Sequence, residues 1–408
     1  MKEFISICFL LIAPVVSCGK NDTETKPKGM HLTKKEQVLV GYDNTFGFNL
    51  FKEIIKNEDS QTNILISPLS ISYALAMTYN GADGTTKKAM EETLNLSGLT
   101  IDEINNSYNK LITALLSMDS GVIMSIANSI WYRNTFNVEQ SFINVNKNYY
   151  NAEVTPLDFK STEAIDIINN WVADKTKNKI IEIIDHISPA AVMYLINAIY
   201  FKGIWKYEFD KDNTNEAPFY LDNGTSKDVP MMVQEGTFNY LSNELFQAVE
   251  MPYGSGNYSM LIFLPAYNKT VNDIIEQLNN ENWNNWLDEF NEENKVQIHL
   301  PKYKYDYEIT LNDELINMGM SIAFSSAADF SKIDQNGGLY ISKVKHKTFI
   351  EVNEEGTEAA AVTSIEILRS IIDFIPFYVN KPFLFAIKEK NTNAIIFMGK
   401  IVEPLYED

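Results

Sequence analysis

The sequence is almost free of cysteine, and this scarcity excludes several kinds of chemistry. Its only two cysteines, Cys8 and Cys18, both lie close to the amino terminus. The rest of the chain therefore has no disulfide, no thiol nucleophile and no cysteine-based zinc site. Its stability must come from a hydrophobic core, which a chain of 408 residues can supply.

Histidine is scarce as well, and no histidine lies in a catalytic pattern. The four histidines are His31, His186, His299 and His346, and no two have the spacing of a His-Glu-x-x-His zinc motif. The segment 253–256 lacks the flanking glycines of a nucleophile elbow and predicts a hairpin turn instead. We therefore expect no enzyme, no cofactor and no metal site, although a carboxylate pair among the many acidic residues stays open.

Basic charge is also in short supply. The chain has 34 Lys and Arg against 54 Asp and Glu, which gives a formal net charge of -20. Such a surface repels phosphates, so nucleic acids and anionic lipid headgroups are poor partners. The sequence also has no run of Lys and Arg that would indicate a heparin-like site.

The amino terminus predicts export. The segment from Phe4 to Val16 is apolar but too short to span a bilayer, and it leads into Val15-Val16-Ser17-Cys18. This ending resembles the bacterial lipoprotein box, in which the leader is cut before a lipid-bearing cysteine; an ordinary secretory leader is the alternative. The resemblance implies a signal peptide over 1–17, a lipidated Cys18 with a flexible tether over 18–36, and a folded domain over 37–408. The protein would then be exported and held by its lipid on a bacterial membrane, in the outer membrane facing the periplasm or the cell surface.

Helical patterns are concentrated early in the chain and strand patterns late, which predicts an α+β fold. The predicted helices are Asp43–Lys56, Leu69–Tyr79 after an N-cap at Ser67 with Pro68 first, a helix after Gly84 capped by Thr85, and Ser161–Asn178. The predicted strands are Val192–Phe201, Tyr258–Leu264, Val296–Leu300, Leu339–Val352, Phe383–Ile387 and Ile395–Ile401.

The connection between the predicted strands Leu339–Val352 and Phe383–Ile387 is unusually long. About thirty residues separate Val352 from Phe383, and connections of this length are usually functional. If residues 357–367 became a strand, one face would be uncharged and small near its start, and the other would carry the charges. Gly356 would supply backbone freedom at its beginning. A short helix is the alternative, because Glu-Ala-Ala-Ala is strongly helix-forming.

A resemblance to a known family favours the strand. The segment Glu354-Glu355-Gly356-Thr357-Glu358-Ala359-Ala360-Ala361 resembles the hinge of the serpins. Other segments resemble serpin motifs in the same order along the chain, over roughly residues 40 to 405. They are 63–70, 168–172, Asn197 with 201–205, 229–232, 299–302, 328–331, 346–347, 380–383 and 397–401. One departure is Asn178, where the family has glycine.

The resemblance implies a fold and a mechanism. The expected serpin fold has three β-sheets, eight or nine helices and an exposed reactive-centre loop. The implied function is suicide inhibition of a serine protease in a covalent one-to-one complex, by a metastable monomer whose cleaved loop inserts into its own sheet. Five residues match the family's shutter beneath the opening sheet: Ser67, Ser70, Asn197, Trp205 and His346. A non-inhibitory binding protein or chaperone is the alternative, which the small residues Thr357 and Ala359 to Ala361 disfavour.

The bond that the protease cuts can be placed in three ways. Family spacing from Gly356 gives Ser370–Ile371, and counting back from Pro382 gives Ile371–Ile372. We prefer Arg369–Ser370, because Arg369 is the only basic residue between Glu354 and Asn380. An arginine suits the buried carboxylate of a trypsin-like pocket. The other two bonds suit elastase- or subtilisin-like proteases, and cysteine proteases are a further class of target.

Overall fold

A computed structural model describes residues 30, 32–188, 190–357 and 374–406. Nine α-helices lie within these residues: α1 Lys34–Asn57, α2 Pro68–Tyr79, α3 Gly84–Thr93, α4 Ile101–Leu115, α5 Gln140–Tyr150, α6 Ala164–Lys175, α7 Val271–Glu276, α8 Asn280–Glu289 and α9 Asn312–Leu315. The same residues form fifteen strands: β1 Ile64–Ile66, β2 Val122–Arg133, β3 Glu153–Leu157, β4 Met193–Ile204, β5 Asn215–Tyr220, β6 Ser226–Ser242, β7 Phe246–Tyr253, β8 Tyr258–Pro265, β9 Asn291–Pro301, β10 Tyr303–Thr310, β11 Lys343–Asn353, β12 Gly356–Thr357, β13 Ile375–Tyr378, β14 Phe383–Glu389 and β15 Ile395–Ile401.

The helix starts follow from local capping. The predicted start of α2 is confirmed, since the Ser67 side chain accepts a hydrogen bond from the Ser70 amide and Pro68 occupies the first turn. Helix α1 begins earlier than predicted because Thr33 and Glu36 form a capping box. The predicted cap of α3 is wrong: Asp83, not Thr85, accepts the hydrogen bond from the Gly84 amide.

Helix α6 is shorter at both ends than the predicted Ser161–Asn178. It begins at Ala164 and ends at Lys175. The C-terminal end follows from the backbone, because Lys177 and Asn178 both have positive φ angles, of 55° and 60°. Such left-handed residues end a helix.

The strands form two hydrogen-bonded sheets within the described residues. The six-stranded sheet has the order β10-β11-β12-β4-β2-β3. The nine-stranded sheet has the order β1-β15-β14-β8-β7-β6-β9-β13, with β5 added beside β6. Three sheets were expected, and the long strand β6 explains the difference. It pairs with β5 over residues 226–231, with β9 over residues 231–240 and with β7 over residues 239–242, and its pairing with β9 has an irregularity between Gly236 and Phe238. The strand thus joins two of the expected sheets.

The six-stranded sheet lies between two helices. On one face Ile168 and Val172 of α6 share a small hydrophobic cluster with Trp131 of β2 and Ile196 of β4. On the other face, the side chain of Asn197 of β4 reaches α2. Helix α6 thus packs on one face of the six-stranded sheet, and α2 lies on the other. None of the helices in the described ranges is both long and apolar enough to cross a membrane.

Candidate functional site

The two central strands of the six-stranded sheet are paired over only part of their length. Strands β4 and β11 run parallel, with residues 343–349 of β11 opposite residues 194–200 of β4. Beyond this stretch a third segment lies between them: Gly356 and Thr357 of β12 pair with Ile204 and Gly203 on one side and with β11 on the other. The sheet is therefore closed at one end and already holds two residues of the hinge at the other.

Gly356 fits this position because it has no side chain. Its φ angle is 149°, and a Cβ atom there would lie 2.1 Å from the carbonyl oxygen of Gly203. Thr357, the next residue, has no solvent exposure. Its Oγ1 lies 2.7 Å from the hydroxyl of Tyr253, and either group can donate the hydrogen bond. The first inward side chain of the hinge is thus buried and has a polar partner.

The two glutamates before Gly356 are tied to neighbouring segments by charge and by backbone hydrogen bonds. The Glu354 carboxylate lies 3.2 Å from Lys302 Nζ and accepts a hydrogen bond of 2.8 Å from Thr214 Oγ1. Burial tends to raise the pKa of Glu354, but the hydrogen bonds that it accepts, together with Lys302, hold that pKa below its usual range. Glu355 forms a salt bridge with Lys211. These contacts hold the base of the hinge in one place.

Trp205 also lies at this end of the sheet. Its indole Nε1 donates a 3.0 Å hydrogen bond to the carbonyl oxygen of Asn353, and its ring stacks on Tyr253 with centroids 4.3 Å apart. The backbone amide of Trp205 donates to the carbonyl oxygen of Glu355 at 2.9 Å. The structure therefore groups Trp205 with the hinge and not with the other four predicted shutter residues.

Those four residues do lie together, at the closed end of the gap. His346 has no solvent exposure; its Nε2 accepts a hydrogen bond of 3.1 Å from the amide of Ser67, and its Nδ1 lies 2.6 Å from Asn197 Oδ1. Because Nε2 accepts, the proton is on Nδ1, which donates to Asn197. Burial lowers the pKa of His346 to about 3, so the ring is neutral at ordinary pH. The Asn197 amide donates to Ser70 and to Asn128.

Several residues of the site were not selected from the sequence as site residues. Tyr253 was assigned only to a hairpin turn, which the structure confirms between β7 and β8. Lys211, Thr214 and Lys302 lie far along the chain from the glutamates that they hold. Their signal in the sequence was weak, because a single Lys or Thr beside a strand is usually an exposed surface residue.

Part of the predicted site lies outside the described residues. These positions are Cys18, the hinge residues Glu358, Ala359, Ala360 and Ala361, and the candidate cleavage residues Arg369, Ser370, Ile371 and Ile372.

Comparison with known proteins gives a consistent result. The family model for serpins, "serine protease inhibitor", matches residues 42–404. An uncharacterised serpin-like protein of Methanosarcina acetivorans is 35% identical over 381 residues, which are 91% of this chain and 88% of that protein. The native structure of tengpin, a thermophilic serpin, has a TM-score of 0.84 at 36% identity and covers 92% of this chain and 95% of its own. Human thyroxine-binding globulin, in complex with its hormone, has a TM-score of 0.85 at 29% identity and covers 91% of this chain and 100% of its own.

Fold and site together define an α+β protein whose six-stranded sheet holds two residues of the hinge between β4 and β11. The chain belongs to the serpin family. Many members of this family are protease inhibitors that form complexes with their targets, and some members are non-inhibitory.

Proposed function

We propose that this protein is a suicide inhibitor of serine proteases. The protease serine attacks the scissile carbonyl of the loop, the carboxy-terminal fragment leaves as an amine, and the loop remains bound as an ester. The freed loop then enters the sheet between β4 and β11, continuing the strand that Gly356 and Thr357 begin. The observation that carries the proposal is the pairing of these two residues with a strand on each side.

Hydrogen-bond counting supports the direction of this change. Insertion must first separate seven paired positions of β4 and β11. The inserted segment then pairs on both of its sides, so two ladders replace one. At ~1 kcal/mol for each net hydrogen bond, an inserted strand with a dozen additional bonds would gain about 10 kcal/mol. That gain is large enough to hold a protease in a distorted state.

The loop sequence supports a trypsin-like target. Arg369 is the preferred specificity residue, followed by Ser370 on the leaving side. Its guanidinium would pair with the buried carboxylate of a trypsin-like pocket, which would otherwise have no partner. Use of Ser370–Ile371 or Ile371–Ile372 would instead give an inhibitor of elastase- or subtilisin-like proteases.

The test is incubation with trypsin, followed by a denaturing gel and amino-terminal sequencing of the released fragment. We expect a covalent one-to-one complex and a fragment that begins at Ser370. The variant Arg369→Ala should lose the complex with trypsin but keep any complex with elastase. A fragment that begins at Ile371 or Ile372 would contradict the choice of Arg369 but not the mechanism.

The second candidate is a non-inhibitory binding protein. It is favoured by the likeness to thyroxine-binding globulin, a protein of this fold that was solved with its hormone bound. A protein of this kind would be cut by trypsin without forming a covalent complex. The same gel therefore distinguishes the two functions.

We also propose that the protein is anchored by a lipid on Cys18. The residues Val15 to Cys18 support this, since they resemble a lipoprotein box. The variant Cys18→Ala should move the protein from the membrane fraction to the soluble fraction, whereas Cys8→Ala should not. Membrane association that survives Cys18→Ala would contradict lipidation at this site.

A further inference from the structure

The side chain of Asp119, in the loop between α4 and β2, accepts hydrogen bonds from two separate segments. Within its own loop, Oδ1 accepts from the amide of Gly121 at 2.9 Å. From the turn between β7 and β8, Oδ2 accepts from the hydroxyl of Ser255 at 2.7 Å and from Nδ2 of Asn257 at 3.1 Å. One carboxylate therefore joins two segments that lie 136 residues apart in the chain.

This junction is buried, tightly packed and charged. Asp119 is 7% exposed, and a Cβ atom at Gly254 would lie 2.4 Å from its Oδ1. Burial tends to raise the pKa of Asp119, but hydrogen bonds from Ser255, Gly121 and Asn257 hold that pKa below its usual range. Hydrogen bonds to a charged acceptor are stronger than those between neutral groups, so the two segments are firmly joined at neutral pH.

The joined segments fix the end of β4. The amide of Ile204 donates to the carbonyl oxygen of Gly121 at 3.1 Å, and the carbonyl oxygen of Ile204 accepts from the amide of Gly254 at 2.7 Å. Ile204 is also the residue of β4 that pairs with Gly356 of the hinge. The two segments that Asp119 joins thus hold the part of β4 against which the hinge pairs.

The turn that Asp119 holds also follows directly on Tyr253. The ring of Tyr253 stacks on Trp205 with centroids 4.3 Å apart, and its hydroxyl lies 2.7 Å from Thr357 Oγ1. A displacement of about 1 Å would lengthen this last contact beyond the range of a hydrogen bond. The position of the turn therefore decides whether the Tyr253 hydroxyl meets Thr357.

We propose that Asp119 is a positioning residue for loop insertion. Its carboxylate holds the turn between β7 and β8 against the loop before β2, and so places Tyr253 and the end of β4 where they receive Gly356 and Thr357. The inference rests on the proposed inhibition by loop insertion and names a residue that prepares its first step.

Hydrogen exchange of the intact protein tests the positioning without any protease. Asp119→Asn places an NH₂ group against N–H and O–H donors, so the amides of Gly356 and Thr357 should exchange several-fold faster. The shutter amides of His346 and Asn197 should keep their wild-type rates. Ser255→Ala, which removes only the 2.7 Å hydrogen bond, should give a smaller acceleration of the same hinge amides.

Asp334→Asn is the matched control. Asp334 is 3% exposed and also joins two segments, since its carboxylate accepts from the amides of Asn137 and Asn336, both at 2.9 Å. This variant should leave the exchange of the hinge amides at the wild-type rate. An equal acceleration by Asp334→Asn and Asp119→Asn would overturn the proposal, because any buried carboxylate would then have the same effect.

A double variant shows whether Asp119 acts through Tyr253. Tyr253→Phe alone should also speed exchange of the hinge amides, and two independent effects would multiply. If Asp119 acts by placing the Tyr253 hydroxyl, the double variant should exchange less than twofold faster than Asp119→Asn alone. Accelerations that multiply, or hinge amides that Asp119→Asn leaves unchanged, would contradict the positioning role.

The stoichiometry of inhibition of trypsin tests the link to insertion. Asp119→Asn should need several-fold more inhibitor for each protease trapped, whereas Asp334→Asn should match the wild type. Unchanged stoichiometry in Asp119→Asn would overturn its role in insertion, even with faster hinge exchange. If the wild type itself traps no protease, the proposed inhibition fails, and the exchange experiments still decide whether Asp119 positions Tyr253.

Discussion

The two ends of the gap between β4 and β11 are built differently. At the hinge end, two residues of the chain already lie between the strands, and charged pairs such as Glu354–Lys302 hold their base. At the shutter end the strands pair directly, above the neutral and fully buried network of His346, Asn197 and Ser67. In the proposed mechanism, the inserting loop would continue the strand that is already present at the hinge end, and the paired strands at the shutter end would have to separate.

This difference implies that the two ends can be changed separately. Alterations at the hinge end should change what the loop does after cleavage. Alterations at the shutter end should change how firmly the intact sheet stays closed.

The largest effect is expected for Thr357→Arg. A long charged side chain would have to be buried where Thr357 now meets Tyr253, at a cost of several kcal/mol. Insertion should become too slow to trap the protease, so the protein should be cut as a substrate. The stoichiometry of inhibition measures this, and Thr357→Ser, which keeps the hydroxyl, should stay near the wild type. One-to-one trapping by Thr357→Arg would contradict the role of Thr357.

A shutter variant should instead weaken the intact protein. His346→Ala leaves the Ser67 amide and Asn197 without their partner and opens a cavity, which should cost about 3 kcal/mol. The intact protein should melt at a lower temperature and lose activity faster on storage. His186→Ala, at an exposed position, is the matched control. Equal melting temperatures for these two variants would show that the network does not hold the sheet closed.

The two ends should also respond oppositely to pH. Helix α2 carries Ser70 of the shutter and packs against α1. In α1, Asp43 is buried and accepts a 2.6 Å hydrogen bond from Tyr108. Burial raises its pKa from 3.8 to about 7, so the folded state holds a proton that the unfolded state has lost, and stability falls as pH rises between these values. The lowered pKa of Glu354 acts the other way, because its contribution is lost as pH falls.

Asp43→Asn isolates the contribution behind the shutter. The wild type should lose up to ~4 kcal/mol of unfolding free energy from this group between pH 4 and pH 8, and the variant should lack that part of the pH dependence. Urea unfolding across this range measures the difference. Asp174→Asn, at an exposed carboxylate, should follow the wild-type curve. If both variants do so, Asp43 does not titrate as its burial predicts.

The smallest effect is expected at the hydroxyl that Thr357 contacts. Tyr253→Phe leaves the stacking on Trp205 intact but removes one buried hydrogen bond, worth ~1 kcal/mol. Hydrogen exchange of the hinge amides should become roughly fivefold faster, while the shutter amides stay unchanged. Tyr267→Phe is the control, since Tyr267 is 90% exposed. Faster exchange at both ends of the gap would show that the ends are not separable.

Local signals in the sequence predicted much of this site. Ser67–Pro68 gave the start of α2 because a cap and a first-turn proline act within a few residues. The resemblance over Glu354 to Thr357 placed the hinge, and Gly356 indeed occupies a position that excludes a side chain. The cap of α2 is decided by residues close by in the chain, and the hinge was placed by a well-defined motif.

Features that depend on distant contacts were predicted only where the family resemblance supplied them, as for His346 and Asn197 of the shutter. The insertion of Gly356 and Thr357 depends on Gly203 and Tyr253, which lie more than 100 residues away in the chain. Trp205 was assigned to the shutter from the family resemblance, but it follows the end of the 12-residue strand β4, whereas Asn197 lies within that strand. Sequence order does not show which end of a strand meets which partner.

Thermal unfolding of the intact and the loop-cleaved protein tests the central claim most directly. If the hinge end is the beginning of a strand that cleavage completes, the cleaved protein gains about a dozen hydrogen bonds in its central sheet. Its melting temperature should then exceed that of the intact protein by roughly ten degrees or more. Equal melting temperatures before and after cleavage would contradict insertion between β4 and β11.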